Sequence, residues 1–388
     1  MTLRRALQPL LAGLALAISA GALLAQSDPT RTARAAMEQL EVATQALQEA
    51  QKSGDRIAAL TQTVQAYEEG LSALRDGLRR INLRETALQA AFDAESDRLG
   101  QLLGVLQTIG KAPEPALLIH PSGPVGTARS GMILSEVTPA LQAQAEDLRA
   151  RLEEQRTLRA LQENAVDTLQ TGLTGVQEAR FELSLALARR TELPRRFVAD
   201  EERMKTLLES ADTLASFAEG LMSDPKANAS ATALPDFASV RGRLAMPVLG
   251  RVLRGFGERD AAGIQRPGLI VATRPLSIVT TPWPATIRYL GPLLDYGNVA
   301  ILEPGDGYLI VLAGLGQLYG DVGEVLAQGA PVGLMGGADP ADTSLDDQAF
   351  LIAATEGTGA ERSETLYIEL RKDGTPVDPT TWFAAGKE

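Results

Sequence analysis

The sequence predicts an α + β multidomain protein, with a long antiparallel coiled-coil hairpin followed by a C-terminal all-β domain. Three patterns predict it. Apolar residues step by three and four over most of residues 57–187, the period of a helical seam. From Arg243 onward the chain changes to short apolar runs divided by Gly and Pro, the texture of strands and turns. Near the end, Leu366, Ile368 and Leu370 alternate with Tyr367, Glu369 and Arg371 before a turn at Asp373-Gly374, which marks a strand with two unlike faces.

Composition narrows the function classes. The 388 residues carry 37 Lys and Arg against 49 Asp and Glu, a net charge of −12 with no basic block. Nucleic-acid binding is excluded on that ground, because phosphate affinity comes from clustered cations. With no cysteine there can be no disulfide, thiolate nucleophile or Cys-type metal site. One histidine leaves little scope for metal chemistry.

Residues 1–25 run from Arg4 and Arg5 through an apolar stretch, Leu10 to Leu24, to the small residue Ala25. This is the layout of a secretory signal peptide, cleaved near Ala25 or Ala22, and an extracytoplasmic location is expected. The apolar stretch is shorter than the roughly 20 residues of a membrane-spanning helix.

Residues 26–193 form the predicted hairpin. Its first seam is Ile57, Leu60, Val64, Tyr67, Leu71, Leu74, Leu78 and Ile81, continued by Leu88, Phe92, Leu99, Leu102, Leu106 and Ile109. Almost no breaker interrupts Pro29 to Lys111, so one rod of about 80 residues, on the order of 120 Å, is expected. Prolines at 113, 115, 121 and 124 turn the chain, and a second seam from Leu134 to Leu187 returns it. The tip falls near 110–133. His120 lies there with no acidic or Cys companion and reads as a surface residue.

Residues 194–223 read as a separate amphipathic helix carrying Phe197, Met204, Leu207, Leu208, Leu214, Phe217 and Leu221. It either caps the coiled coil or lies in a groove of the C-terminal domain and blocks it. Residues 224–241 are a linker, and 242–386 the β domain.

The order of short strands across 243–383, closed by Val377-Asp378-Pro379 and Trp382, resembles the LytM domain of lysostaphin-type zinc metallopeptidases, a lipoyl-like or barrel-sandwich architecture. In that family the last core strand runs His-x-His-Phe-Glu. The resemblance implies zinc ligands at the positions of Arg266, Ile270 and Tyr367, and catalytic histidines at those of Gly314 and Thr365. None of these five residues can fill the role of the one it replaces. A guanidinium repels a metal and an Ile side chain has no donor. The expectation is therefore no metal, no cofactor and no enzymatic activity. By the same resemblance the former active-site groove is lined by Pro267, Ile270, Val299, Leu312, Tyr367 and Arg371, a mix suited to a protein-binding hot spot. Residues 337–362, with Asp339, Asp342, Asp346 and Asp347, exceed the usual loop at that point; without EF-hand spacing they read as a solvated insertion.

The whole arrangement is similar to murein hydrolase activators of the EnvC type. That resemblance implies a periplasmic protein at division sites whose partners are a zinc-dependent N-acetylmuramoyl-L-alanine amidase and, through the coiled-coil tip, an inner-membrane ABC-type division complex. Peptidoglycan is a further candidate partner. It also implies that the helix before the LytM domain restrains the amidase-binding groove. The rivals are a zinc endopeptidase of peptidoglycan, against which the missing ligands count, and a periplasmic efflux adaptor. Adaptors insert their hairpin within the β domain, whereas here the hairpin precedes it.

Overall fold

The computed structural model describes residues 29–51, 55–111, 123–189, 195–197, 200–223, 235–259, 263, 265–337 and 363–384. The expected signal peptide, the hairpin apex with His120, most of the linker and residues 338–362 of the acidic insertion lie outside them. Among the described residues no helix is long and apolar enough to cross a membrane. Helices α1 (Pro29–Ala50), α2 (Arg56–Lys111), α3 (Gly123–Ala188), α4 (Glu201–Ser210) and α5 (Leu214–Met222) precede the ten strands found among the described residues. The chain divides into two compact units, one of residues 1–36 and 73–167, the other of 37–72 and 168–388.

In the first unit the start of α1 packs with parts of α2 and α3: Ala33, Ile81, Leu88, Leu158 and Leu161 form one buried cluster. Arg84 pairs with Glu154 at 2.7 Å and Arg159 with Glu85 at 3.0 Å, joining α2 to α3. Both pairs are substantially solvated, so they fix register more than they stabilise.

The single rod expected from Pro29 to Lys111 is corrected. The chain breaks between α1 and α2, and Asp55 caps the new helix, its Oδ1 accepting from the Ala58 N–H at 3.2 Å. Helix α1 then runs back along α2. In the first unit a Cβ on Gly77 would lie 3.1 Å from Ala33; in the second, one on Gly70 would lie 2.8 Å from Leu40. Three helices thus share each core where two were expected, and α2, at 56 residues, is about 84 Å long. Helix α3 also begins earlier than the expected tip allowed, at Gly123-Pro124, where a proline near the first turn forfeits no hydrogen bond.

In the second unit the strands are β1 (Gly250–Arg254), β2 (Leu269–Thr273), β3 (Ile278–Thr280), β4 (Ala285–Pro292), β5 (Asn298–Gly305), β6 (Tyr308–Leu318), β7 (Val325–Leu326), β8 (Pro331–Met335), β9 (Glu364–Lys372) and β10 (Thr375–Val377). They form one antiparallel sheet in the order β1-β2-β9-β6-β5-β4-β7, with β8 bridging β6 and β3. Alternation sorts side chains onto two faces. Ile287, Ala300, Leu302, Ile310, Leu312, Leu366, Ile368 and Leu370 enter the central core with Phe237 and Trp382. The residues between them, among them Val299, Ile301, Leu309, Val311, Ala313 and Tyr367, face the other way.

Within this unit α2 and α3 are fastened to the sheet by one buried contact. Glu68 Oε1 accepts from Arg180 Nη2 at 3.0 Å and from the Ile278 N–H at 2.9 Å. Burial raises the Glu68 carboxyl above the usual carboxylate range, and the Arg180 charge opposes that shift. Gln65 donates to Thr280 Oγ1 and Ser184 meets the Tyr319 hydroxyl, both at 3.4 Å.

Glu68→Ala should lower unfolding stability by roughly 3–5 kcal/mol, because it strands the Arg180 cation in a buried place. The double variant Glu68→Leu with Arg180→Leu should lose only about 1–3 kcal/mol, the cost of an unpaired Ile278 N–H. Chemical denaturation of the three proteins tests the ordering.

Candidate functional site

The site is the sheet face opposite the central core. Register sets its centre: Ile270 of β2 and Ala313 of β6 flank Tyr367 of β9. Tyr367, Glu369 and Arg371 follow at period two on this face. The Tyr367 hydroxyl donates to Glu369 Oε2 at 2.6 Å, and Arg371 Nη1 donates to Glu369 Oε1 at 2.5 Å. Arg371 Nη2 donates to the Gly374 carbonyl. Burial and the neighbouring Glu369 charge push the Tyr367 phenol far above its ordinary range, so it stays protonated as a donor. The ring of Tyr296 lies 5.7 Å from that of Tyr367, and the Arg266 guanidinium sits 5.4 Å from the Tyr296 ring centre.

Helices α4 and α5 cover this face. Asp200 caps α4, its side chain accepting from the Arg203 N–H, and Glu201 and Glu202 favour the first turn. Thr213 and Ser216 close a reciprocal capping box on α5. Leu214, Phe217, Ala218 and Leu221 make the buried stripe of α5, at the i, i+3, i+4, i+7 spacing of one helical face. The stripe packs in one cluster with Tyr289, Val299, Ile301, Val311, Ala313 and Tyr367. Phe217 meets Tyr289 edge to face at 4.8 Å. Helix α4 rests on α5 where Gly220 leaves room for Leu207, since a Cβ there would lie 2.2 Å from Leu207 Cδ1. No α4 residue is fully buried, and Met204, Leu207 and Leu208 are half-covered.

Arg288 holds both ends of this strap. It is the extra residue at the bulge between Ile287 and Tyr289, and such a bulge re-aims a side chain. Its Nη1 donates to Glu303 Oε2 at 2.8 Å, and its Nη2 donates to the Leu221 carbonyl near the end of α5. Its guanidinium carbon also lies 5.2 Å from the Phe197 ring centre, upstream of α4.

Several sequence-predicted residues are placed together here and others are not. Ile270, Val299 and Tyr367 belong to the covered face with Met204, Leu207, Leu208, Leu214, Phe217 and Leu221. Leu312 is corrected: it lies in the central core beside Leu366 and Ile368, because it is one residue out of phase with the face that Val311 and Ala313 share. Arg371 is not a free hot-spot cation, being only 3 % exposed and committed to Glu369 and Gly374. The single helix expected over 194–223 is two, and Phe197 lies outside both, against Arg288. Pro267 is half-buried.

Four of the five positions expected to have lost their catalytic residues have structural uses. A Cβ on Gly314 (φ +95°) would lie 2.5 Å from the Thr365 carbonyl oxygen, so a side chain there needs a different backbone. Thr365 is exposed, Arg266 stacks on Tyr296, Ile270 is apolar, and Tyr367 is spent on Glu369. This donor set does not fit zinc. Among the described residues no group of three or more His, Cys, Asp and Glu converges.

No family model matches the chain. The uncharacterised protein NMB1333 of Neisseria meningitidis serogroup B is 27 % identical over 147 residues, 38 % of this chain and 21 % of that protein. The chain thus matches about a fifth of the length of that relative. Solved structures similar to part of the chain include Helicobacter pylori Csd3 (18 % identity, 38 % of this chain and 36 % of that one, TM-score 0.27). A second is a putative M23 peptidase from Pseudomonas aeruginosa (16 %, 38 % and 52 %, TM-score 0.28). A third is the catalytic domain of the M23 protein EnpA from Enterococcus faecalis (15 %, 37 % and 98 %, TM-score 0.27).

Phe217→Asp places a charge in the α5 stripe and removes burial worth about 3–5 kcal/mol, so amide exchange over 201–222 should rise at least roughly tenfold. Arg288→Met should raise it less. Exchange in β5, β6 and β9 should stay slow in both. Unchanged protection of α5 in Phe217→Asp would contradict the packing described.

Proposed function

We propose that this chain is a non-catalytic, exported activator of peptidoglycan N-acetylmuramoyl-L-alanine amidases, and that α4 and α5 restrain it by occupying the surface an amidase would take. One observation carries the reading. The positions that match the zinc ligands of LytM-type peptidases hold Arg266, Ile270 and Tyr367 instead, and an apolar helix of the same chain lies across the sheet face they occupy. A peptidase needs its metal open to water and substrate. A binding protein needs an apolar face, and the one here is covered by α5 of the same chain.

In this reading the antiparallel helices are a hairpin arm, and its apex docks on an inner-membrane ABC-type division complex. The strap and an amidase compete for one surface, so the arm has to shift only the balance between closed and open states. The efflux-adaptor alternative gains no support from the chain order, since the helices precede the sheet.

Dye release from labelled peptidoglycan tests the proposal with the full chain alone, a zinc amidase alone, and both together. The expected result is no release by the chain alone, stimulation of the amidase by the chain, and stronger stimulation by Phe217→Asp. EDTA-sensitive release without an amidase, or one tightly bound zinc per chain, would overturn it.

Deleting residues 110–133 should leave stimulation in solution intact and abolish recruitment to division sites. Fluorescence microscopy of a labelled variant, beside the purified assay, separates the two ends. Loss of stimulation in the purified assay would overturn the two-ended arrangement.

A further inference from the structure

The strap covers one face of the sheet, but the sheet also has an edge that nothing in the proposed activator reading uses. Among the described residues strand β1 pairs with β2 on one side only, which leaves a row of backbone N–H and C=O groups on its other side. Large apolar residues stand exposed on and around it: Leu249 (42 %), Val252 (48 %), Leu253 (55 %) and Phe256 (38 %). All four fall within a single short stretch, so they make a patch and not the scattered single exposures that any surface carries. Leu253 is the extra residue at a bulge between Val252 and Arg254, and both Val252 and Leu253 are exposed.

Positive charge predominates there. Arg251, Arg254 and Arg259 lie on or beside the strand in a chain whose net charge is −12. Arg254 Nη1 donates to the Arg259 carbonyl at 2.7 Å, which leaves its charge unneutralised. The one acid in residues 249–259, Glu258, is exposed, and its Oε2 accepts from the Gly255 N–H at 2.8 Å. Among the described residues none of the three arginines forms an ion pair.

We propose that the β1 edge is a docking site for an extended acidic segment of a partner protein, added as a further strand. Apolar side chains of the incoming segment would cover Leu249, Val252, Leu253 and Phe256, and its carboxylates would meet the arginines. A second copy of this chain fits poorly. The antiparallel register that sets Leu249 against Phe256, and so covers all four apolar residues, places Arg251 opposite Arg254 twice, and like charges directly opposite repel. A lipid surface could take the arginines and the apolar side chains, but it offers no backbone to the strand's free N–H and C=O groups.

The test is fluorescence anisotropy on the full chain with three labelled octapeptides: alternating Val and Glu, alternating Val and Lys, and the Val-Glu peptide with alternate amides N-methylated. The Val-Glu peptide should bind, the Val-Lys peptide should not, and N-methylation should weaken binding severalfold. The double variant Arg251→Glu with Arg259→Glu changes only exposed side chains; it should lose Val-Glu affinity by about tenfold, from opposite-charge pairs turned to like-charge pairs. Circular dichroism should be unchanged in that variant. Failure of the Val-Glu peptide to bind would overturn the proposal, as would equal binding of the N-methylated peptide, which would reduce the effect to charge alone. Binding to anionic vesicles without binding to the peptide would overturn it in favour of a lipid surface. A dimer in sedimentation that Arg251→Glu tightens, by setting a carboxylate against Arg254 of the other copy, would overturn it in favour of a second copy.

Discussion

The two-residue period of β9 is the constraint on which the rest of this site depends. Leu366, Ile368 and Leu370 are held in the central core, so Tyr367, Glu369 and Arg371 have to point to the opposite face. The neighbours inherit the same division through their register, Ile270 and Ala313 opposite Tyr367 and Val311 opposite Glu369. A one-residue slip would put a tyrosine, a carboxylate and a guanidinium into the core. The face on which chemistry could occur is therefore fixed by the packing of the face on which it could not.

The buried cations of the second unit are answered by acids of the same unit. Arg371 faces Glu369, Arg288 faces Glu303, and Arg180 of α3 faces Glu68 of α2. Breaking any such pair strands a charge, whereas leaving the pairs intact makes the surface around them nearly neutral. That electrostatic state suits an apolar helix, as α5 demonstrates, and gives a cation no preferred seat. The β1 edge departs from this balance, with three arginines that lack such partners among the described residues.

The two-part plan was legible because its signals are periodic: the seam from Leu60 to Ile81 survives as a buried stripe, and the alternation from Leu366 to Arg371 as a division in which Leu366, Ile368 and Leu370 take the central core. The α1–α2 break was harder to see, because a Ser-Gly-Asp between two good helical patterns costs little in composition, and only Asp55 as a cap betrays it. Leu312 was misread because resemblance carries a position to within a residue, and one residue reverses a strand's face. The alternation of Leu309, Val311 and Ala313 was the available signal. Arg288 had no signal in the sequence at all: a bulge aims it, and a carbonyl more than sixty residues away receives it.

The strap's strength decides what it can do. Leu214, Phe217 and Leu221 each gain roughly 1.5–3 kcal/mol from burial, and ordering the two short helices opposes part of that gain. Neither α4 nor α5 is long enough to be a stable helix away from the sheet, so folding and docking are one event. Moving such an element from almost always closed to almost always open takes about 5.5 kcal/mol, which is within reach of a partner that buries a comparable apolar stripe on the same face. A strap with a fully buried α4 as well would be beyond that reach. The half-covered Met204, Leu207 and Leu208 add less than full burial would, which leaves the covering of this face mainly to α5.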